Sequence, residues 1–304
     1  MKTTAVLIAG PTASGKSSAA LAIAEALGGL VINADSMQIY RELTVLTARP
    51  SDAEMARVPH FLYGHVSVRE PYSVGRYRAD AARALAEARA LGKIPVIVGG
   101  TGLYFSALTE GLAEIPPVPE PVRAAAREKL AQVGVAALHA ELAARDPEAA
   151  AALRPSDPQR VLRAWEVFEA TGRSLRHWQT HAGEPLLATE NTARFVLDVP
   201  REELRARIAA RLRKMVAEGA CEEAQALRDL DPALPAAKIL GLRELNAVHS
   251  GAMTLEAALA QAAIRTGQYA KRQETWFRHR MPGWTRVPAA NGSNFVSGML
   301  RSLA

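Results

Sequence analysis

An α/β fold, with a parallel sheet at its core and a mainly helical insertion, is predicted by three features of the 304-residue chain. Short apolar runs of strand length alternate with helical patterns toward both ends of the sequence, as βαβ units require. The first strand-to-helix turn, Gly10-Pro11-Thr12-Ala13-Ser14-Gly15-Lys16-Ser17, has the spacing G-x-x-x-x-G-K-[ST] of a phosphate-cradling P-loop. Between residues 112 and 189 the strand pattern stops, and prolines followed by alanine-rich helical patterns replace it. The expectation is a P-loop NTPase-like core formed by residues 1–111 and 190–304, the latter ending in helices, with residues 112–189 inserted as a separate helical domain.

The first strand is the apolar run Ala5-Val6-Leu7-Ile8-Ala9, and the helical pattern beyond the loop ends near Leu27. Gly10 and Gly15 let backbone N–H groups turn toward an anion, and the new helix adds the positive end of its dipole. Lys16 is placed to meet a terminal phosphate as a point charge, and the Ser17 hydroxyl to hold a Mg²⁺ that bridges phosphate oxygens. Leu30-Val31-Ile32-Asn33 is a second strand, delivering Asp35-Ser36-Met37-Gln38-Ile39-Tyr40 to the carboxyl edge of the sheet, where ligands sit in open parallel sheets. A turn or N-cap role is the commoner fate of an aspartate after a strand and stays open for Asp35 at this point. Phe61 to His65 is a further extended segment, and His60 and His65 lack partners at ligand spacing, so both are expected to be loop or packing residues. A helix from Gly75 to Leu91 ends at Gly92, and the strand Ile94 to Val98 enters Gly99-Gly100-Thr101-Gly102-Leu103-Tyr104, a second glycine turn. Close backbone approach to a ligand and a simple tight turn both explain its glycines.

Ile115 to Pro121 is a stiff proline linker, and the helical run from Val122 to Leu153 is broken at Gly134 and at Asp146-Pro147. Asp157-Pro158 supplies a cap and a first-turn proline for a helix reaching Ala170, with Val161, Leu162, Trp165 and Phe168 as its apolar stripe. Gln159, Arg160 and Arg163 lie together off that stripe. The strand Phe195-Val196-Leu197 precedes a helix from Arg201 to Glu218, which carries Leu204, Ile208, Leu212 and Met215 on one face. Arg207, Arg211 and Lys214 recur on another face, either solvated or within reach of phosphates. The long pattern from Thr254 to Arg280 ends in Lys271 to Arg280, where basic and aromatic residues interleave. Such a stretch suits an RNA backbone and stacked bases, although Trp276 and Phe277 also fit a core.

Lys plus Arg number 37 and Asp plus Glu 31, a net charge of +6 that fits a polyanionic partner as well as it fits a simple arginine bias. Cys221 is the single cysteine, which excludes an intrachain disulfide or a Cys-based metal site and points to the cytoplasm. No apolar run approaches the ~20 residues of a spanning helix, and no signal peptide is visible, so no membrane role is expected. The P-loop alone leaves a nucleoside or small-molecule kinase as the main alternative.

The ordered motifs carry a resemblance that the P-loop alone does not. G-P-T-A-S-G-K-S at Gly10 to Ser17, D-S-M-Q-I-Y at Asp35 to Tyr40, G-G-T-G-L-Y at Gly99 to Tyr104, D-P-Q-R at Asp157 to Arg160 and Y-A-K-R-Q-x-T-W-F-R at Tyr269 to Arg278 occur in the order found in bacterial tRNA dimethylallyltransferases. Resemblance to that family implies Mg²⁺-dependent transfer of a dimethylallyl group from dimethylallyl diphosphate to N6 of the adenosine at tRNA position 37, beside the anticodon. It implies that Gly10, Pro11, Thr12, Ala13, Ser14, Gly15, Lys16 and Ser17 hold the donor's diphosphate, with Ser17 on the metal and Lys16 catalytic. Asp35 matches the general base and Thr101 a residue at the same reaction centre. Contacts to the tRNA anticodon stem-loop are implied for Asp35, Ser36, Met37, Gln38, Thr101, Arg123, Gln159, Arg160, Val161, Leu162 and Arg163, and the basic pair Lys271 and Arg272 is expected to join them. A cytoplasmic monomer is expected.

That chemistry suits these residue types. An adenine N6 is a poor nucleophile, so the transfer gains from a base at the amine and from neutralising the departing diphosphate. A base in an anticodon loop must also be turned out of its stack, which calls for a basic clamp with the insertion and the C-terminal helix as its jaws. Three positions depart from the family pattern: Leu46 in Leu46-Thr47-Ala48-Arg49-Pro50, Leu242 in Gly241-Leu242-Arg243-Glu244, and Gly267 in Thr266-Gly267-Gln268.

Overall fold

The structure, a computed structural model, describes residues 3–180, 183–290 and 294–303. The chain divides into two compact units, Met1–Thr109 with Leu187–Ala304, and Glu110–Leu186.

In the first unit the chain runs β1 (Ala5–Ala9), α1 (Lys16–Ala26), β2 (Leu30–Asn33), α2 (Asp52–Met55), β3 (His60–Phe61), α3 (Val74–Ala90), β4 (Pro95–Gly99) and α4 (Gly102–Thr109). The second unit contains α5 (Glu120–Arg145), α6 (Pro147–Ala151), α7 (Pro158–Thr171) and α8 (Leu175–Gln179), with no strand among its described residues. The chain then returns to the first unit with β5 (Thr192–Asp198), α9 (Arg201–Ala217), α10 (Ala220–Ala226), α11 (Leu242–His249), α12 (Leu255–Arg280), β6 (Thr285–Pro288) and α13 (Phe295–Leu303).

The strands form one parallel sheet in the order β3-β2-β4-β1-β5-β6. Every residue of β1 and β4 is buried, because helices cover both faces, and this is why those strands read as unbroken apolar runs. Ala9 pairs with Gly99 and Asn33 with Val98, so the chain leaves β1, β4 and β2 side by side at one edge. The P-loop, the Gly100–Gly102 turn and Asp35 are thereby brought together. The extended segment expected from Phe61 to His65 stops at Phe61, because Leu62 and Gly64 take left-handed φ values of 65° and 55°. His65 then joins a polar cluster in which the Tyr72 hydroxyl donates to Asp80 at 2.7 Å and His65 Nε2 lies 3.5 Å from the same carboxylate.

The second unit has its own core of Leu138, Leu142, Val161, Ala164 and Trp165. Gly134, at φ 77°, breaks α5 where the sequence places a break, and Asp157 caps α7 by accepting from the Arg160 N–H at 3.1 Å.

Candidate active site

The phosphate loop joins β1 to α1. Gly15 has φ 85° at the helix N-cap, a left-handed conformation that strains a residue with a Cβ. Lys16 opens the helix buried, its Nζ donating to the Pro11 carbonyl at 3.3 Å. Desolvation pushes the Lys16 ammonium below its usual pKa; the Asp35 carboxylate opposes the fall and the Arg211 charge adds to it. The Ser14 hydroxyl is fully buried without a hydrogen-bond partner, whereas Ser17 remains partly exposed. A buried cation and an orphaned hydroxyl at a helix N-terminus are suited to an anion.

Asp35 is fixed by its own turn. Asn33 Oδ1 accepts from the Asp35 N–H at 2.8 Å, and Asp35 Oδ1 accepts from the Met37 N–H at 3.1 Å. The other oxygen, Oδ2, faces Lys16 Nζ at 4.0 Å, and the residue is only 7% exposed. The turn role thus occupies one carboxylate oxygen and leaves the other facing Lys16 of the phosphate loop. Thr101 Oγ1 accepts from the Ser36 N–H at 2.9 Å and donates to Ser36 Oγ at 3.1 Å, which ties the glycine turn after β4 to the turn after β2. Phenols surround this point. Tyr63, Tyr104 and Tyr269 all have pKa values raised first by burial, with the Asp35 charge among the further causes. Tyr104 stacks on Tyr77 with ring centres 3.7 Å apart.

The arginines of α9 divide in role. Arg211 Nη2 donates to Thr12 Oγ1 at 2.5 Å, and burial lowers the guanidinium's pKa against the pull of Asp35. Arg207 instead holds the loop's backbone, donating to the Ser14 carbonyl at 3.3 Å and the Ala289 carbonyl at 2.9 Å while pairing with Glu203. Lys214 is exposed and pairs with Glu218 at 3.6 Å. Of the three basic residues at helical spacing, then, Arg211 adds charge beside the loop's own side chains. Periodicity alone gave no means of choosing among them.

Gln273 is a site residue to which the sequence attached no role. Its Oε1 accepts from the Thr12 N–H at 2.9 Å and its Nε2 donates to the Gly100 carbonyl at 2.9 Å, so α12 is bound to both site loops. Only glycine permits that approach, since a Cβ at position 100 would lie 2.1 Å from Gln273 Nε2. The signal available in sequence was the Gln itself, a polar residue at a position that the helical pattern turns inward.

The residues expected to meet tRNA separate by exposure. In the first unit Ser36 and Met37 are half-buried, and Gln38 is buried with Nε2 donating to the Thr47 and Ala48 carbonyls at 3.1 and 2.7 Å. Lys271 and Arg272 are exposed on α12. In the second unit Gln159 and Arg160 are exposed, while Arg123 and Arg163 are partly so. One side chain needs correction as a contact: Val161 is 0% exposed within the core of the second unit, whereas Leu162 packs against the same cluster and stays partly exposed. Its place on the apolar stripe makes Val161 a packing residue that orients its polar neighbours. A cavity of about 440 Å³ opens between α9 and α12, lined by Leu204, Ile208, Ala263, Gly267 and Lys271 among others. Lys16 and Asp35 do not line it.

Among the described residues no group of three His, Cys, Asp or Glu side chains is arranged to hold a metal, and no helix is long and apolar enough to cross a membrane. The partly exposed Ser17 hydroxyl at the start of α1 could, with phosphate oxygens and water, hold a hard cation at this loop. That set fits Mg²⁺, which keeps several waters at phosphate sites.

The profile of the IPP transferase family matches residues 38–280, and that of the isopentenyl transferase family matches residues 3–66. The tRNA dimethylallyltransferase of Azorhizobium caulinodans is 51% identical over 303 residues, covering 99% of this chain and 97% of that protein. That of Parvibaculum lavamentivorans is 55% identical over 282 residues, covering 92% and 89%. Among solved structures, the full-length tRNA isopentenylpyrophosphate transferase of Bacillus halodurans superimposes with a TM-score of 0.68 at 33% identity, covering 99% and 98%. A eukaryotic dimethylallyltransferase acting on tRNA gives 0.85 at 25% identity, covering 99% of this chain and 77% of that one.

Proposed function

Because this chain belongs to the IPP transferase family, whose relatives include the tRNA dimethylallyltransferases, we propose that it transfers a dimethylallyl group from dimethylallyl diphosphate to N6 of the adenosine at tRNA position 37. The observation that carries the chemistry is the buried pair of Lys16 and Asp35, 4.0 Å apart where β1 and β2 end. A cation for the leaving group thus stands beside an acceptor for the nucleophile's proton.

In the reaction the bond from N6 to C1 of the prenyl chain forms, the C1–O bond breaks, and diphosphate departs with the bonding electrons. Asp35 Oδ2 takes the N6 proton. Lys16, Arg211 and the loop amides hold the charge that grows on the diphosphate, and they are worth most in the transition state. Mg²⁺, held by Ser17, supplies further neutralisation of the phosphate oxygens when bound. Thr101 keeps the Asp35 turn in register through its two contacts with Ser36.

Gly10 to Ser17 are the diphosphate site in this reading. Asp35 to Gln38, Thr101, Arg123, Gln159, Arg160, Leu162, Arg163, Lys271 and Arg272 are the tRNA contacts, with Arg and Lys acting chiefly on the RNA backbone. The protein works in the cytoplasm as a monomer. Family membership decides against the kinase, since a P-loop of this kind here serves a leaving group and not a phosphoryl donor. The test is mass spectrometry of tRNA nucleosides from cells lacking the gene and cells regaining it. Dimethylallyladenosine or its further-modified forms should vanish and return, and tRNA unchanged between the two would refute the assignment.

A further inference from the structure

Helix α12 carries two kinds of residue within one turn. Lys271 and Arg272 are exposed and basic, whereas Gln273 points inward and is 5% exposed. The Gln273 amide makes one bond to each of two loops that are 88 residues apart in sequence (100 − 12), at the Thr12 N–H and the Gly100 carbonyl. Thr12 is then held at its N–H by Gln273 and at its hydroxyl by Arg211. One turn further along α12, Trp276 lies against Gly102, which starts α4. A shift or rotation of α12 thus pulls on the hydrogen bond to Thr12, whose conformation sets how the loop meets an anion. A side chain needed only for packing would not be a buried primary amide whose two ends are matched to one donor and one acceptor.

We propose that Gln273 is a positioning residue that couples RNA engagement on α12 to the shape of the diphosphate loop, so that RNA and diphosphate each change the other's affinity. The inference rests on the prenyl-transfer reading for the identity of the two ligands. Coupling of this kind is reciprocal and is commonly about 5- to 150-fold.

The experiment is calorimetric titration of the full-length protein with inorganic diphosphate and Mg²⁺, alone and saturated with an unmodified tRNA anticodon stem-loop. No prenyl group is present, so binding is read without transfer. In the parent, the RNA should change diphosphate affinity by about 5-fold or more. In Gln273→Ala that ratio should fall to near one while affinity for RNA alone stays within about 2-fold. Gln273→Met, which fills the volume without either hydrogen bond, replaces it if the alanine variant does not fold. A parent with no coupling overturns the proposal and requires no variant. So does a variant that keeps the full ratio, or one that weakens both ligands equally with the ratio unchanged, which is what a merely structural residue would do. Failure of the parent to prenylate tRNA would instead strike the proposed activity and leave this ratio standing.

Discussion

Replacing Asp35 by Asn separates two effects that the geometry places on one carboxylate. Oδ1 accepts from the Met37 N–H, and the Asn carbonyl can keep that bond, so the turn between β2 and the Thr101 contact is preserved. Oδ2 is lost as a proton acceptor and as a negative charge 4.0 Å from Lys16. Removing a general base usually lowers rate by about 10²- to 10⁴-fold. The charge matters separately: at 4.0 Å, a unit pair in a medium of effective dielectric ~20 interacts by about 4 kcal/mol. Asp35 is the cause that opposes desolvation at Lys16, so its loss drives the ammonium's pKa further down. The expected result is a single-turnover rate about 10²- to 10⁴-fold lower at neutral pH. Diphosphate binding should weaken with rising pH earlier than in the parent, and tRNA affinity should stay within a few-fold. The assay is rapid quench with saturating donor and excess enzyme, repeated across alkaline pH. A rate within a few-fold of the parent would remove Asp35 from the proton transfer. An unchanged pH dependence of diphosphate binding would remove its hold on Lys16.

Lys16→Ala should slow the chemical step by about 10²- to 10³-fold, the scale seen when one transition-state donor is removed, with a smaller effect on tRNA affinity measured by filter binding. Because the folded pKa of Lys16 is depressed and a bound anion restores it, diphosphate binding should take up protons between that lowered value and 10.5. Calorimetry in buffers of different ionisation enthalpy should show the uptake in the parent, and Lys16→Ala should lack it. Arg160→Ala and Arg163→Ala should weaken tRNA binding and reduce the log-log salt slope by about 0.7 to 0.9 per lost contact; affinity and slope both unchanged would take the second unit out of the interface. Val161→Ala should cost about 2 kcal/mol in denaturant unfolding yet leave the folded protein's tRNA affinity intact, and a selective loss of affinity would restore it as a contact. The His65 pKa is lowered chiefly by burial, so its share of stability is complete above pH 6.5 and is lost as pH falls through the depressed folded value. The acid limb of parent stability should therefore be steeper than that of His65→Gln.

The sheet was legible because buried parallel strands leave apolar runs and because P-loop spacing requires a strand before Gly10 and a helix from Lys16. Asp157 and Pro158 likewise marked the start of α7 through local capping chemistry. The short final strand, Thr285–Pro288, escaped notice because its residues are exposed or half-buried and its order comes from pairing with β5, a tertiary fact. Helices α10 and α11 are seven and eight residues long, too short for a periodic signal. At the site, P-loop spacing and the position of Asp35 at a strand end could be read directly. Gln273 could not, because its partners Thr12 and Gly100 are far away in sequence and an inward amide looks the same whether it packs or holds two loops. The divergent positions Leu46 and Leu242 both fall in the main apolar core, with Leu46 beside Gly241, and Gly267 lines the cavity between α9 and α12. These departures touch packing and a side cavity, and none of them lies at Lys16, Asp35 or Thr101.

The most direct measurement of the central claim combines purified protein, Mg²⁺, dimethylallyl diphosphate and an unmodified tRNA, with no nucleoside triphosphate present. Prenylated adenosine and inorganic diphosphate should accumulate in equal amount, because the diphosphate is only the leaving group held by Lys16 and its neighbours. An absolute requirement for ATP, or movement of a labelled γ-phosphate to any acceptor, would contradict the account.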